Sequence, residues 1–133
     1  SGEIVPQQLA SLPRVELVTG PEAIRQIAMM HGKPIDLAEG YIASYRNGEK
    51  EVTLWVSVSA SAEAAAALFR QMDEKMPASP VFTGRQELNL EGQKVIRVEG
   101  MGQEHYYWVM GKSNYWVAVT GLDGKEVATE IID

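Results

Sequence analysis

The pair Asn47-Gly48 is the feature of this sequence that most restricts its fold. It separates residues 37–45 from residues 51–59, two segments with the alternating polarity of β-strands. A type I′ turn needs a positive φ at both central residues, and Asn-Gly adopts that conformation readily. The sequence therefore predicts a β-hairpin at this position, and a hairpin implies antiparallel pairing.

Amphipathic helices are predicted on both sides of this hairpin. In the first helix, Thr19 is the expected N-cap, Glu22 completes a capping box with it, and Gly32 ends the helix. In the second helix, Ser61 is the expected N-cap. Its apolar stripe consists of Ala65, Leu68, Phe69, Met72 and Met76.

Strand-like segments follow the second helix at residues 81–90, 94–98, 105–110 and 115–120, and Asp123 begins a short closing helix. Successive hairpins favour an antiparallel sheet, whose faces can cover the apolar stripes of the helices. We therefore predict an α+β fold, with an antiparallel, strongly twisted sheet of about six strands. The sheet packs against two main helices and a short C-terminal helix.

The domain organisation follows from the same pattern. Residues 19–133 are predicted to form a single α+β domain. Residues 1–18 form a lead-in segment that could include a short strand at residues 14–18.

Charge argues against two classes of partner. The 133 residues include 12 Lys and Arg and 18 Asp and Glu, which gives a net charge of −6. A nucleic-acid binder needs a basic face, and so does a protein that adsorbs to an anionic membrane. No apolar run approaches the roughly 18 residues that suggest a membrane span. The sequence thus predicts neither nucleic-acid binding nor direct membrane insertion.

Motifs for catalysis and metal binding are missing from the sequence. The chain has no cysteine, which removes thiol nucleophiles, disulfides and thiolate metal sites. Its two histidines, His31 and His105, lack the spacing of a zinc site. Neither Gly-x-Ser-x-Gly nor His-Glu-x-x-His occurs. We predict no catalytic residue, no metal and no cofactor, and we favour a non-enzymatic role.

The segment 102–121, GQEHYYWVMGKSNYWVAVTG, holds three of the five tyrosines and two of the three tryptophans. In a hairpin, the pleat would place Tyr106 and Trp108 on one face and His105 and Tyr107 on the other. Both faces are then largely apolar. Helices can cover one face, and the other requires the lead-in segment, a partner or a ligand.

Two interpretations of these aromatic residues stay open: cross-strand pairs that stabilise the sheet, or a pocket or interface. On the second, the chain is a non-catalytic binding or interaction domain for an unknown small molecule or protein. The candidate ligand-binding residues are Trp55, His105, Tyr107, Trp108 and Trp116. Two further hypotheses are a small hydrolase or transferase with His105 as general base, and a homodimerisation module.

Several segments resemble a known family. They are GYIASY at residues 40–45, NG at 47–48 with EVTLWV at 51–56, SAEAA at 61–65 and YWVAVTG at 115–121. In this order they are similar to a family of uncharacterised bacterial proteins that are often exported or lipid-anchored. The resemblance runs from Thr19 to the end of the chain. It implies a location in the cell envelope or outside the cell and a non-enzymatic role, and it supplies no catalytic residues.

The opening dipeptide Ser1-Gly2 looks like the remnant of a protease cleavage. We therefore expect that a signal peptide or lipid-anchor segment preceded it in the native protein. A cytoplasmic location stays open on the sequence alone.

Overall fold

A computed structural model describes residues 4–32 and 34–133. Within these residues the helices are α1 (Gly20–His31), α2 (Ala62–Lys75) and α3 (Gly124–Ile132), and a short 3₁₀ turn (Met76–Ala78) follows α2. The strands are β1 (Gln8–Leu9), β2 (Leu12–Thr19), β3 (Glu39–Asn47), β4 (Lys50–Val58), β5 (Thr83–Leu90), β6 (Gln93–Gly100), β7 (Gln103–Met110) and β8 (Ser113–Thr120).

The eight strands form one antiparallel sheet in the order β1-β2-β3-β4-β8-β7-β6-β5. The central β4–β8 pair joins the two halves of the chain and places Trp55 directly opposite Trp116. The predicted α+β class and the antiparallel sheet are confirmed. The predicted strand number is wrong, because the structure has eight strands in the described residues instead of about six.

Both additional strands come from the lead-in segment. β2 pairs with β3 at one end of the sheet, and Leu9 and Leu12 are buried in the core. The Tyr45 hydroxyl donates a hydrogen bond to the Pro6 carbonyl at 2.7 Å, which holds this segment in place. The polarity of residues 12–19 does not alternate cleanly because much of β2 is exposed near the sheet edge. The first three residues of the predicted lead-in lie outside the described residues.

The predicted hairpin between β3 and β4 is present, but its turn differs by one residue. Asn47 pairs with Lys50, so the two turn residues are Gly48 and Glu49. Only Gly48, with a φ of 65°, has a left-handed conformation there. This pattern fits a type II′ turn, which takes glycine at its first central position, instead of the expected type I′ turn.

The helix caps agree with the sequence in two cases and differ in one. Ser61 caps α2 by accepting a hydrogen bond from the Ala64 amide at 3.1 Å, and Asp123 caps α3. Thr19 precedes α1 but makes no side-chain cap bond, so the predicted capping box is wrong. The carboxylate of Glu22 instead accepts hydrogen bonds from Arg25 at 3.0 Å and Gln26 at 2.9 Å.

The three helices cover the two faces of the sheet unequally. α3 packs on one face, here called the α3 face, and contacts both edge strands, β1 and β5. The Ala10 amide also donates to the Glu130 carboxylate of α3 at 3.1 Å. The sheet therefore curves around α3 and encloses a large core. This core includes Tyr45, Leu54, Tyr106, Trp108, Val117 and Val127.

The opposite face, here called the helix-pair face, carries α1 and α2. α1 packs on β2, β3 and β4, whereas α2 packs on β7 and β8. Two separate apolar clusters result, one around Ala23, Ile27 and Ile42 and the other around Phe69, Ile96 and Tyr107. No helix in the described part of the chain is long and apolar enough to cross a membrane.

Candidate functional site

A cavity of about 570 Å³ lies on the helix-pair face between α1 and α2. Its walls include Ile27 and Met30 from α1 and Met72 and Met76 from α2 and the turn that follows it. Its floor includes the strand residues Trp55, Ser57, His105, Asn114 and Trp116. The cavity exists because the two helices pack on different strands and leave the centre of the face uncovered.

Trp116 occupies a fixed position in the floor. Its ring stacks on that of Tyr107, with centroids 4.8 Å apart and planes 5° from parallel. Phe82 meets it edge-on at 5.2 Å. The indole Nε1 donates a hydrogen bond to Nδ1 of His105 at 3.0 Å. These contacts fix the orientation of a side chain that is only partly buried.

The hydrogen bonds of His105 define its tautomer. The Trp116 indole can only donate, so Nδ1 accepts and the ring proton is on Nε2. Nε2 then donates to the Gly100 carbonyl at 3.0 Å. Burial lowers the pKa of His105 below its ordinary value, and the bond to Gly100 opposes that shift. The ring is therefore neutral near pH 7, and both of its nitrogens are engaged.

A polar triad beside the floor connects α2 to the sheet. The Tyr107 hydroxyl donates to Asp73 at 2.7 Å, and Arg85 binds the same carboxylate through two bonds of 2.9 and 2.7 Å. The bonds from Arg85 hold the pKa of Asp73 below its usual range. Burial, together with the bond to Asp73, raises the pKa of Tyr107. The triad keeps Tyr107 in place beside Trp116.

Asn114 and Ser57 face each other across β8 and β4 in the floor. Both are buried, with 8% and 5% of their surfaces exposed. The Asn114 Nδ2 donates to the Ala65 carbonyl of α2 at 3.0 Å. Its Oδ1 is buried without a hydrogen-bond partner among the described residues. The floor thus contains one buried acceptor without a partner, next to Ser57 and close to the indoles.

Three exposed apolar side chains lie at the rim of the cavity, and two of them are methionines. Met30, Val81 and Met101 line it, and their exposed fractions are 55%, 47% and 70%. Methionine side chains adapt to differently shaped apolar partners. Among the lining residues that the structure describes, Lys75 is the only Lys, Arg, Asp or Glu, and its side chain is exposed.

The five predicted ligand-binding residues have three different kinds of surroundings in the structure. Trp55, His105 and Trp116 line the cavity. Tyr107 is fully buried and stacks against Trp116 from the neighbouring strand. Trp108 is fully buried on the α3 face, where it stacks on Tyr115 at 5.2 Å, and it lines no part of the cavity. The structure brings the first three together because β4, β8 and β7 are consecutive in the sheet.

Sequence reasoning did not identify several lining residues. Ile27, Met72 and Met76 belong to helical stripes, which the sequence indicates only as general core positions. Phe82 follows the proline-rich end of α2, and a large aromatic residue in such a loop is the one available signal. Asn114 carries no signal, because an asparagine beside a turn is ordinary.

A second, more open concavity of about 1310 Å³ lies between the β5–β7 strands and the start of α3. Two cations, Arg97 and Lys125, line it, and Arg97 is already bound by Glu99 at 2.9 Å and Glu104 at 2.6 Å. Because Glu99, Glu104 and Asp123 line the same concavity, it has no excess of positive charge that would attract an anion, and this region is a weaker candidate.

In residues 4–32 and 34–133, no group of three His, Asp or Glu side chains is arranged to hold a metal ion. Comparison with known proteins found no matching family model, curated protein or solved structure.

Proposed function

We propose that this chain is a non-catalytic binding domain that takes an apolar, flat small molecule into the cavity on the helix-pair face. The observation that carries the proposal is the pair of partly exposed indoles, Trp55 and Trp116, side by side in the floor of this cavity. A volume of about 570 Å³ lies within the roughly 300–1,000 Å³ typical of small-molecule sites.

The chemistry of the lining supports an apolar ligand. Aromatic rings and methionine side chains form most of the wall, so desolvation of apolar surface would drive binding. The Trp116 ring needs no rearrangement to receive a ligand, because Tyr107, Phe82 and His105 already hold it. A preorganised surface binds with a smaller entropy cost than a mobile one.

A general-base role for His105 has less support. Nδ1 accepts from Trp116 and the protonated Nε2 donates to Gly100, which leaves no lone pair directed at a substrate. A base in this position would first have to break its bond to the indole.

The test is a fluorescence titration with N-phenyl-1-naphthylamine. This neutral apolar probe fluoresces more strongly when it moves from water into an apolar site. We expect saturable binding at one site and about tenfold weaker binding in Trp116→Ala, which removes a preformed stacking surface. Met29→Ala is the control, because Met29 is exposed but does not line the cavity. Circular dichroism shows whether each variant is folded. The absence of saturable binding to the wild-type chain would contradict the proposal.

We further propose that the protein works in the cell envelope or outside the cell. This proposal rests on the resemblance of residues 40–45, 47–48, 51–56, 61–65 and 115–121 to exported and lipid-anchored bacterial proteins. Immunodetection in fractionated cells that express the native gene tests it, and recovery only in the cytoplasmic fraction would refute it.

A further inference from the structure

The hydrogen bond between Trp116 and His105 connects the cavity floor to a group that titrates. The indole Nε1 donates to Nδ1 of His105 at 3.0 Å, and Nε2 of His105 donates to the Gly100 carbonyl at 3.0 Å. An indole can only donate, so Nδ1 must carry a lone pair for this bond to form. The contact that orients Trp116 therefore exists only while the imidazole is neutral.

Protonation of His105 removes one of its two hydrogen bonds and leaves the other. An imidazolium ion has an N–H group on both ring nitrogens. Nε2 still donates to Gly100, which keeps the ring at the end of β6. The proton on Nδ1 would face the indole N–H of Trp116, and two donors cannot form a hydrogen bond. Trp116 is only partly buried, whereas His105 is 2% exposed, so the indole is the ring with room to move.

The cost of burying a charge acts in the same direction as the lost hydrogen bond. Phe82 lies edge-on against the His105 ring, with centroids 4.9 Å apart, and His105 lines the cavity. An apolar ligand on Trp116 would exclude water from this region. An imidazolium ion is poorly solvated in such surroundings, so ligand binding and protonation of His105 oppose each other.

The other ionisable groups near His105 are accounted for. Those of the described residues that share the helix-pair face with it on the neighbouring elements are His31, Asp73, Lys75, Arg85, Lys94 and Tyr107. Asp73 and Arg85 form an ion pair at 2.7 Å. The causes of the lowered pKa of His105 are its burial and, in opposition, the Gly100 bond, and neither is a charged side chain. His31 lines the same cavity and is the group whose titration must be separated from that of His105.

We infer that acid releases the ligand from this cavity, because protonated His105 no longer holds Trp116 in its binding orientation. The inference rests on the proposed binding function. The pKa of His105 lies below its ordinary value of about 6.5, so the floor is intact near pH 7. The affinity for an apolar ligand then decreases as the pH falls below that value.

The first test needs no variant. The wild-type chain is titrated with N-phenyl-1-naphthylamine at several pH values between 7.5 and 5, a range in which this diarylamine stays uncharged. Binding should be constant near neutral pH and should weaken in acid, by about fivefold when His105 is protonated, because one hydrogen bond is lost. Circular dichroism at each pH shows that the chain is still folded.

An affinity that stays constant across this pH range would overturn the acid release and leave the binding function intact. If the probe fails to bind at pH 7.5, the proposed function fails instead. The two failures are therefore distinguishable within one experiment.

The second test assigns the pH dependence to His105. His105→Gln cannot take up a proton in this range, so its affinity for the probe should not change with pH. His31→Gln is the matched control, because it makes the same substitution at another histidine of the cavity lining and should keep the pH dependence. A pH dependence that persists in His105→Gln, or that disappears in His31→Gln, would refute the inference.

His105→Gln also changes two hydrogen bonds, so this variant could fail to fold. NMR of the wild-type chain covers that case. A ligand that prefers the neutral ring must lower the pKa of His105 by the same factor by which protonation weakens its binding. Saturation with the probe should therefore move the His105 titration to lower pH, and without the probe the Trp116 indole N–H resonance should titrate together with His105. An unchanged His105 titration, or an indole resonance that does not follow it, would contradict the inference.

Discussion

Trp108 and Trp116 come from the same hairpin and each stacks on a cross-strand tyrosine, yet their surroundings differ. Trp108 stacks on Tyr115 with planes 9° apart and is fully buried under α3. Trp116 stacks on Tyr107 with planes 5° apart and lines a cavity. Local sequence and local geometry are nearly equal in the two pairs. The helices above them create the difference, since α3 contacts both sheet edges and α1 and α2 leave a gap.

The largest predicted difference in stability is between the alanine variants of these two tryptophans. Trp108→Ala leaves a large void in a closed core and should lower the free energy of unfolding by about 3–5 kcal/mol. Trp116→Ala should cost clearly less, because solvent already reaches its ring. Urea denaturation followed by circular dichroism measures both. Equal losses would mean that the two faces are equally closed.

A smaller loss of stability should follow when Tyr107, which stacks against Trp116, loses its hydrogen bond to Asp73. Tyr107→Phe removes the hydroxyl that binds Asp73 and should lower stability by about 1 kcal/mol, because Arg85 still pairs with the carboxylate. Tyr106→Phe, on the α3 face, provides the comparison, since its hydroxyl donates to Glu104 at a longer 3.2 Å. A loss in Tyr106→Phe larger than that in Tyr107→Phe would contradict the importance of the triad.

Acid should weaken the helix-pair face through His105. Its pKa is lowered in the folded state, so the unfolded chain takes up the proton first as the pH falls. Stability from this residue is complete above the ordinary pKa of about 6.5 and decreases below it. Thermal melting of the wild type and of His105→Gln between pH 7.5 and 5 should show a steeper decrease in the wild type. If the melting temperatures of the two proteins decrease equally with pH, His105 is not the source of the acid sensitivity.

The smallest effect on stability is expected from two adjacent methionines of α1. Met30 lines the cavity rim and Met29 does not, although both are largely exposed. Either substitution to alanine should change the free energy of unfolding by less than about 0.5 kcal/mol. Only Met30→Ala should weaken binding of N-phenyl-1-naphthylamine, by a few-fold. Equal weakening in Met29→Ala would show that the rim has been assigned to the wrong residues.

Much of the fold could be predicted because its signals are local. The Ser61 cap, the helix stop at Gly32 and the β3–β4 hairpin depend on residues a few positions apart. In the lead-in, the sequence offered only a short strand at residues 14–18, inside the range of β2, and it gave no sign of β1 or of where β2 begins. β2 is mostly exposed and β1 has two residues, so neither has a regular pattern of burial.

The candidate site was only partly predictable for a related reason. The aromatic content of residues 102–121 indicated that both faces of this hairpin need a cover. It could not distinguish Trp108 from Trp116, because the pleat assigns opposite faces without indicating which face is closed. The unpaired Asn114 oxygen depends on a helix 49 residues away in sequence.

The sequence by itself determined the element types, the antiparallel pairing and the lack of cysteine chemistry. These properties follow from side-chain period, turn residues and composition, which act over short distances. Only the tertiary structure decided that α3 closes one face while α1 and α2 separate on the other. That outcome depends on which strands each helix packs against and on the curvature of the sheet, and both arise from contacts between residues far apart in the chain.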